Sequence, residues 1–155
     1  MKILVVDQEK CTGCRRCELA CSFRHFKTYS LARARLHVVR DREPEGPEGP
    51  VVCTQCGLCQ VACPVEGAII RKAGIILVTE KCDLTKCVQE CIAACPFGVI
   101  HFDLKLNRMI KCDLCGGFPA CVEACPWNVI QYIEAGTPYA LNNKRVIEIR
   151  SKKVR

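Results

Sequence analysis

Sixteen of the 155 residues are cysteine, and their spacing constrains this chain more than any other feature. They fall into four groups of four with none left over. The first, Cys11, Cys14, Cys17 and Cys21, is spaced C-x2-C-x2-C-x3-C, and Cys53, Cys56, Cys59 and Cys63 repeat that spacing before Pro64. The third, Cys82, Cys87, Cys91 and Cys95, reads C-x4-C-x3-C-x3-C before Pro96. The fourth, Cys112, Cys115, Cys121 and Cys125, reads C-x2-C-x5-C-x3-C before Pro126. In every group the third and fourth members lie four apart, which places both on one face of a helical turn. Beyond cysteine the core is thin, with five Phe, three Tyr and one Trp. A chain so poor in aromatic area needs staples.

Cysteine at this density usually marks a secreted disulfide scaffold. The start of the chain does not suit secretion: Lys2 precedes only four apolar residues, Ile3 to Val6, before Asp7, Glu9 and Lys10. A leader needs an apolar stretch of roughly 7–15 residues and a cleavage site. Arg15-Arg16 lies between cysteines and is no twin-arginine signal. Thiols packed this closely cannot all bridge without strain, so the expectation is a reducing cytoplasm, where clustered cysteines bind metal. Structural zinc favours separated C-x2-C pairs, a poor match here. No cysteine is left over for catalysis, and no C-x3-C-x2-C triplet of the radical-SAM type occurs.

The run C-x2-C-x2-C-x3-C-P is the bacterial ferredoxin signature for [4Fe–4S] clusters. Two-residue gaps let a short loop curl around a cube and present three sulfurs together with backbone N–H groups to its negative charge. Gly13 and Gly57 lie inside such gaps, where a positive φ or a close backbone approach is tolerated. Four [4Fe–4S] clusters are therefore expected, all on cysteine, with iron the only metal. In the two-cluster arrangement the fourth cysteine of a group serves the other cluster. The 18-residue gap after the second group suits a compact two-cluster module, and the 31 residues after Cys21 isolate the first group. The expected quartets are Cys53, Cys56, Cys59 with Cys95, and Cys82, Cys87, Cys91 with Cys63. The outer pair is Cys11, Cys14, Cys17 with Cys125, and Cys112, Cys115, Cys121 with Cys21.

After each Cys-Pro step a short apolar strand is predicted, near 68–72, 99–103 and 128–133. Ile75–Thr79 and Arg108–Lys111 read as returning strands, and Lys2–Val6 opens the first unit. The first unit departs from the repeat: Ser22 replaces proline, a helix continues to Lys27, Arg35 to Arg40 reads as a strand, and 43–50 is a Pro/Gly connector outside regular structure. No apolar run approaches 18 residues, so no membrane span is expected, and no P-loop or Rossmann context marks a nucleotide site.

The formal charge of +7 suggests nucleic acid until the clusters are counted. Four oxidised cubes, each about −2 with its thiolates, bring the total near −1. A nucleic-acid site also lacks a motif and interleaved aromatics. Two basic stretches stand out, 22–40 and the tail 144–155. Arg24, Arg33, Arg35 and Arg40 in the first are the candidate partner contacts, and the tail is a candidate for self-association. His25, His37 and His101 read as surface or packing residues, and Trp127 as a shield over a cluster.

The cysteine pattern over 11–126 resembles the four-cluster iron–sulfur electron-transfer subunits of molybdenum and tungsten oxidoreductases. Cys11-Thr-Gly-Cys-Arg-Arg-Cys-Glu-Leu-Ala-Cys-Ser-Phe-Arg-His25, followed by Arg35-Leu-His-Val, is most similar to the small polyferredoxin-type subunits that accompany tungsten aldehyde oxidoreductases. The resemblance implies an α+β fold of two intertwined ferredoxin-like modules, an inner one at 51–103 and an outer one combining 1–50 with 104–155. It implies the same exchange of fourth cysteines. It also implies an electron relay without a substrate site of its own, partnered by a catalytic tungsten or molybdenum subunit, with a flavin subunit or a ferredoxin as a further partner. A free-standing soluble polyferredoxin is the alternative.

Overall fold

A computed structural model describes residues 1–39, 49–138 and 140. Its described residues build antiparallel two-stranded ribbons joined by short helices. β1 (Lys2–Val6) pairs with β8 (Ile130–Glu134), Lys2 opposite Glu134 and Val6 opposite Ile130. The strand expected to open the first unit is thus the partner of the last strand. Ile3 to Val6 are all buried, so the ribbon's apolar content is spent on both faces.

β2 (His37–Val39) pairs with β3 (Gly49–Val51), setting Val38 against Pro50. The expected irregular connector therefore ends in a strand: proline costs a ladder donor, and a two-stranded ribbon has only edges, where that loss is tolerated. The rest of the connector, with Arg40, lies outside the described residues, as does the basic tail. β4 (Ile69–Lys72) and β5 (Ile75–Val78) form a hairpin whose turn residues, Ala73 and Gly74, have φ of +49° and +81°, the handedness a two-residue hairpin turn requires. β6 (Ile100–Asp103) and β7 (Arg108–Lys111) form another, straddling the expected module boundary at 103/104.

The helices carry the cysteines. α1 (Arg16–Phe26) holds Cys17 and Cys21. α2 (Leu58–Val61), α3 (Glu90–Ala93) and α4 (Ala120–Glu123) are single turns holding Cys59, Cys91 and Cys121. Their fourth cysteines lie past the helix end rather than within it. The backbone N–H groups of Cys63, Cys95 and Cys125 donate to carbonyls three residues back, those of Gln60, Ile92 and Val122. The following prolines disfavour helix at the preceding residue, so each turn tightens and stops. Cys21 has no such proline, and α1 runs on to Phe26. Ser22 is fully buried; its Oγ donates to the Leu19 carbonyl and accepts from Ser30 N–H, both at 3.0 Å, tying helix to insertion.

The apolar core forms two main clusters. One gathers Leu4, Val6, Leu36, Val38, Val52, Leu114, Val129 and Ile130 around Cys17, Cys21 and Cys121. The other gathers Ile69, Ile76, Ile100 and Met109 around Cys59 and Cys91. The insertion is fastened by buried polar contacts. Glu18 Oε1 accepts from Val38 N–H at 3.2 Å. Arg33 grips Asp103 through Nε at 2.6 Å and Nη2 at 3.1 Å, while its guanidinium lies 3.7 Å from the centre of the Phe26 ring.

Candidate metal centres

The sixteen thiols are all free, and the fold brings members of different groups together. Cys53, Cys56 and Cys59 line one cavity with Cys95. Cys11, Cys14 and Cys17 line another with Cys125. Each of these two cavities is lined by four cysteines. Elsewhere, the sulfurs whose charge acts on Cys91 are those of Cys63, Cys59, Cys82 and Cys87. Those acting on Cys121 are Cys21, Cys115 and Cys17. Each cavity thus draws three cysteines from one loop and its fourth from a group distant in sequence.

Local backbone geometry makes these loops possible. Arg15, Gly57 and Gln89, each immediately before a helix and two residues before its group's third cysteine, have φ of +60°, +89° and +64°. A left-handed residue next to a right-handed one is the backbone pattern from which anion-binding nests of N–H groups are built. Backbone N–H groups already reach sulfur: Gly13 to Cys11 Sγ at 3.4 Å, Arg35 to Cys21 Sγ at 3.3 Å and Leu114 to Cys112 Sγ at 3.4 Å.

Comparison with known proteins places this chemistry. One 4Fe-4S dicluster domain family matches residues 7–67, and a second matches residues 47–135. The chain belongs to the 4Fe-4S dicluster domain family. It is 34% identical over 103 residues to Formate hydrogenlyase subunit 2 of Escherichia coli, covering 65% of this chain and 48% of that protein. It is 31% identical over 110 residues to Electron transport protein HydN of Escherichia coli, covering 64% of this chain and 58% of that one. The chain therefore spans about half the length of these relatives. Among solved structures it is similar to a chain of the active site complex BamBC of benzoyl coenzyme A reductase with benzoyl-CoA. That chain matches with a TM-score of 0.46 and 23% identity, covering 100% of this chain and 90% of that one.

Dicluster chemistry explains the thiol environments. Burial, reinforced chiefly by Glu18 at Cys17 and by neighbouring thiols at Cys91, pushes both up to about 12. Burial likewise raises Cys21 and Cys59 to about 11, and it raises Cys53, Cys112, Cys115 and Cys121. As free thiols these groups hold their protons at neutral pH. A cluster binds thiolates and displaces those protons, so the sites suit a cation-rich guest that compensates buried sulfur charge. The convergent sulfurs and the N–H groups that reach them fit a [4Fe–4S] cube, which supplies one-electron chemistry when bound.

Of the four arginines read as partner contacts, two make ion pairs within the chain. Arg33 and Arg35 are turned inward, their side chains 16% and 14% exposed. Arg33 binds Asp103, and Arg35 Nη1 binds Asp113 Oδ2 at 2.7 Å. Arg24 is exposed, and Arg40 lies outside the described residues. Trp127 does line the cavity with Cys11, Cys14, Cys17 and Cys125, but 56% of it remains exposed, so it covers one side only.

Sequence reasoning passed over the polar groups beside the sulfurs. His25 Nε2 lies 3.6 Å from Cys115 Sγ and 3.4 Å from Asp113 Oδ1. Burial would raise Asp113, but Arg35 and His25 outweigh it and hold the carboxyl below its usual range. Lys111 and Gln55 are buried, and each directly precedes or lies between cysteines of a group. A charged or amide side chain at such a position is the signal that could have found them.

Proposed function

We propose that this chain is an electron-transfer subunit. It relays single electrons through four [4Fe–4S] clusters, between a catalytic oxidoreductase subunit and an acceptor or donor. The gathering of cysteines from separate groups around common cavities carries this reading. The clusters are assigned to Cys11, Cys14, Cys17 with Cys125; Cys53, Cys56, Cys59 with Cys95; Cys82, Cys87, Cys91 with Cys63; and Cys112, Cys115, Cys121 with Cys21. Because α1 carries Cys17 of one outer quartet and Cys21 of the other, those two clusters share a helix and electrons have a short path. The inner and outer modules of the sequence reading follow the same exchange.

A relay needs a docking face near a terminal cluster. The open groove between α1 and α4 is lined by Phe23, Tyr29, Arg16, Arg24 and Lys27, against the single acid Glu123. Phe23 and Tyr29 stack at 4.8 Å while both remain exposed. We assign this face to an acidic surface of the catalytic partner. The resemblance to tungsten and molybdenum subunits names that partner's type, with a flavin subunit or a ferredoxin beyond it. A curated relative named as an enzyme subunit supports membership of a complex, and one named as an electron transport protein supports the role. The latter name equally fits a free-standing polyferredoxin. Among the described residues no helix is long and apolar enough to cross a membrane, and we place the protein in the cytoplasm on the strength of its clustered thiols.

Anaerobic isolation tests the reading. About 16 iron and 16 acid-labile sulfide per chain are expected from four cubes, with a visible absorbance that bleaches with dithionite and a cofactor-bearing subunit that co-purifies. Eight iron would remove two of the assigned clusters, and stoichiometric zinc would overturn the proposal. Full loading without any co-purifying subunit would favour the free-standing carrier.

A further inference from the structure

Lys111 occupies a place where an ammonium group is costly. It follows Met109 by two residues on β7, and so shares the strand face that Met109 buries in the second core. Its exposure is 4%. Nζ donates to the Ile76 carbonyl at 2.7 Å, the Cys112 carbonyl at 2.8 Å and Gln55 Oε1 at 3.3 Å. Gln55 is itself held: Oε1 accepts from Ile76 N–H, and Nε2 donates to the Cys112 carbonyl, both at 2.9 Å. All three acceptors of the lysine are neutral, and among the described residues no carboxylate pairs with it. A buried charge persists only when something of opposite sign compensates it.

The cavity that Lys111 lines supplies the missing anion, because Cys53, Cys56, Cys59 and Cys95 line it too. We infer that Lys111 is the fixed counter-charge of the centre held by Cys53, Cys56, Cys59 and Cys95, and that it raises this centre's reduction potential above what its sulfur ligands alone would set. The inference rests on the proposed assignment of a cluster to that quartet. Reduction adds one electron to an already negative body, so a nearby positive charge in a dry site favours the reduced form more than the oxidised one. Through the Cys112 carbonyl the same lysine is tied to the neighbouring quartet, which places its charge where electrons cross between the two.

The test is an anaerobic redox titration of the full loaded chain, with each centre followed by electron paramagnetic resonance. The Cys56→Ser variant identifies which signal belongs to this quartet. Lys111→Met removes the charge at similar volume, and Lys111→Gln retains an amide donor for the carbonyls. At the native midpoint potential of the assigned centre, either variant lowers the ratio of reduced to oxidised form at least tenfold, a shift of 59 mV for one electron. The other signals move less than threefold. Fully loaded variants with an unmoved potential overturn the inference while leaving the cluster assignment standing. If neither neutral variant loads, Lys111→Arg decides: loading with the native potential supports a need for charge, and failure to load shows that shape is what the site reads. A native chain without clusters fails earlier, at the iron count, and takes the inference down with the reading beneath it.

Discussion

Replacing Arg33 by methionine should loosen the insertion from the β6–β7 hairpin. In the native protein the Asp103 carboxylate is 2% exposed, and the guanidinium holds both of its oxygens. Removing one partner of a buried pair costs about 3–5 kcal/mol. Here the backbone N–H groups of Lys105 and Leu106 still donate to Asp103 Oδ1, and methionine retains contact with the Phe26 ring. The expected loss is therefore about 2–3 kcal/mol, which at an ordinary urea dependence lowers the midpoint by about 1 M. Urea titration of the loaded protein, read by circular dichroism and visible absorbance, measures it. Asp103→Asn in the Arg33→Met background should add little, because both substitutions remove the same interaction. Burial pushes Asp103 up, but Arg33 and the amides outweigh it and hold the carboxyl below its ordinary value. The pair's contribution is thus complete above the unfolded value near 3.8 and lost as pH falls through the lower folded one. The difference between variant and native protein should shrink through the carboxylate range. A loss under about 0.5 kcal/mol that does not vary with pH would refute the argument and return Arg33 to the surface.

Three further outcomes are expected. Cys125→Ser should perturb the centre that Cys11→Ser perturbs, seen as the same resonance signal; perturbation of the signal shared by Cys112 and Cys115 would undo the assigned exchange. Reversing charge at Arg24 and Lys27 should weaken capture of the catalytic partner roughly tenfold or more at low salt, with the gap closing as salt rises, and iron content should not change. Stripping the clusters with a chelator should abolish the far-ultraviolet dichroism cooperatively, because the apolar clusters are built around sulfur; a folded, iron-free chain would show that the ribbons suffice.

What could be read from the sequence was what local chemistry dictates. The hairpins at 69–78 and 100–111 follow from short apolar runs on either side of turns, and Gly13 and Gly57 do adopt positive φ. The pairing of β1 with β8 was illegible, since nothing in Ile3 to Val6 says which distant strand completes it. Helix length failed for a definable reason. Four-residue spacing promised a shared helical face, but proline after Cys63, Cys95 and Cys125 ends each turn before the fourth sulfur. The internal ion pairs of the arginines were also illegible: composition counts charges and is blind to direction, so nothing in the sequence said that Arg33 meets Asp103 and Arg35 meets Asp113. Lys111 was invisible as a site residue because a lysine at a strand end ordinarily reaches solvent.

The β1–β8 ribbon has a consequence for biosynthesis. Its two strands are separated by about 120 residues, whereas the β4–β5 and β6–β7 hairpins close over a handful. At a ribosomal pace of roughly 5–20 residues per second, Leu4 and Val6 wait on the order of 6–24 seconds for their partner strand. During that interval Cys11, Cys14 and Cys17 are made but Cys125 is not, while the second and third groups already have their full complement. Long-range closure comes last when local contacts form early. On the proposed assignment, maturation of such a chain is ordered by topology, with the centre of Cys11, Cys14 and Cys17 the last to be sealed and the longest at risk from oxygen and stray metal.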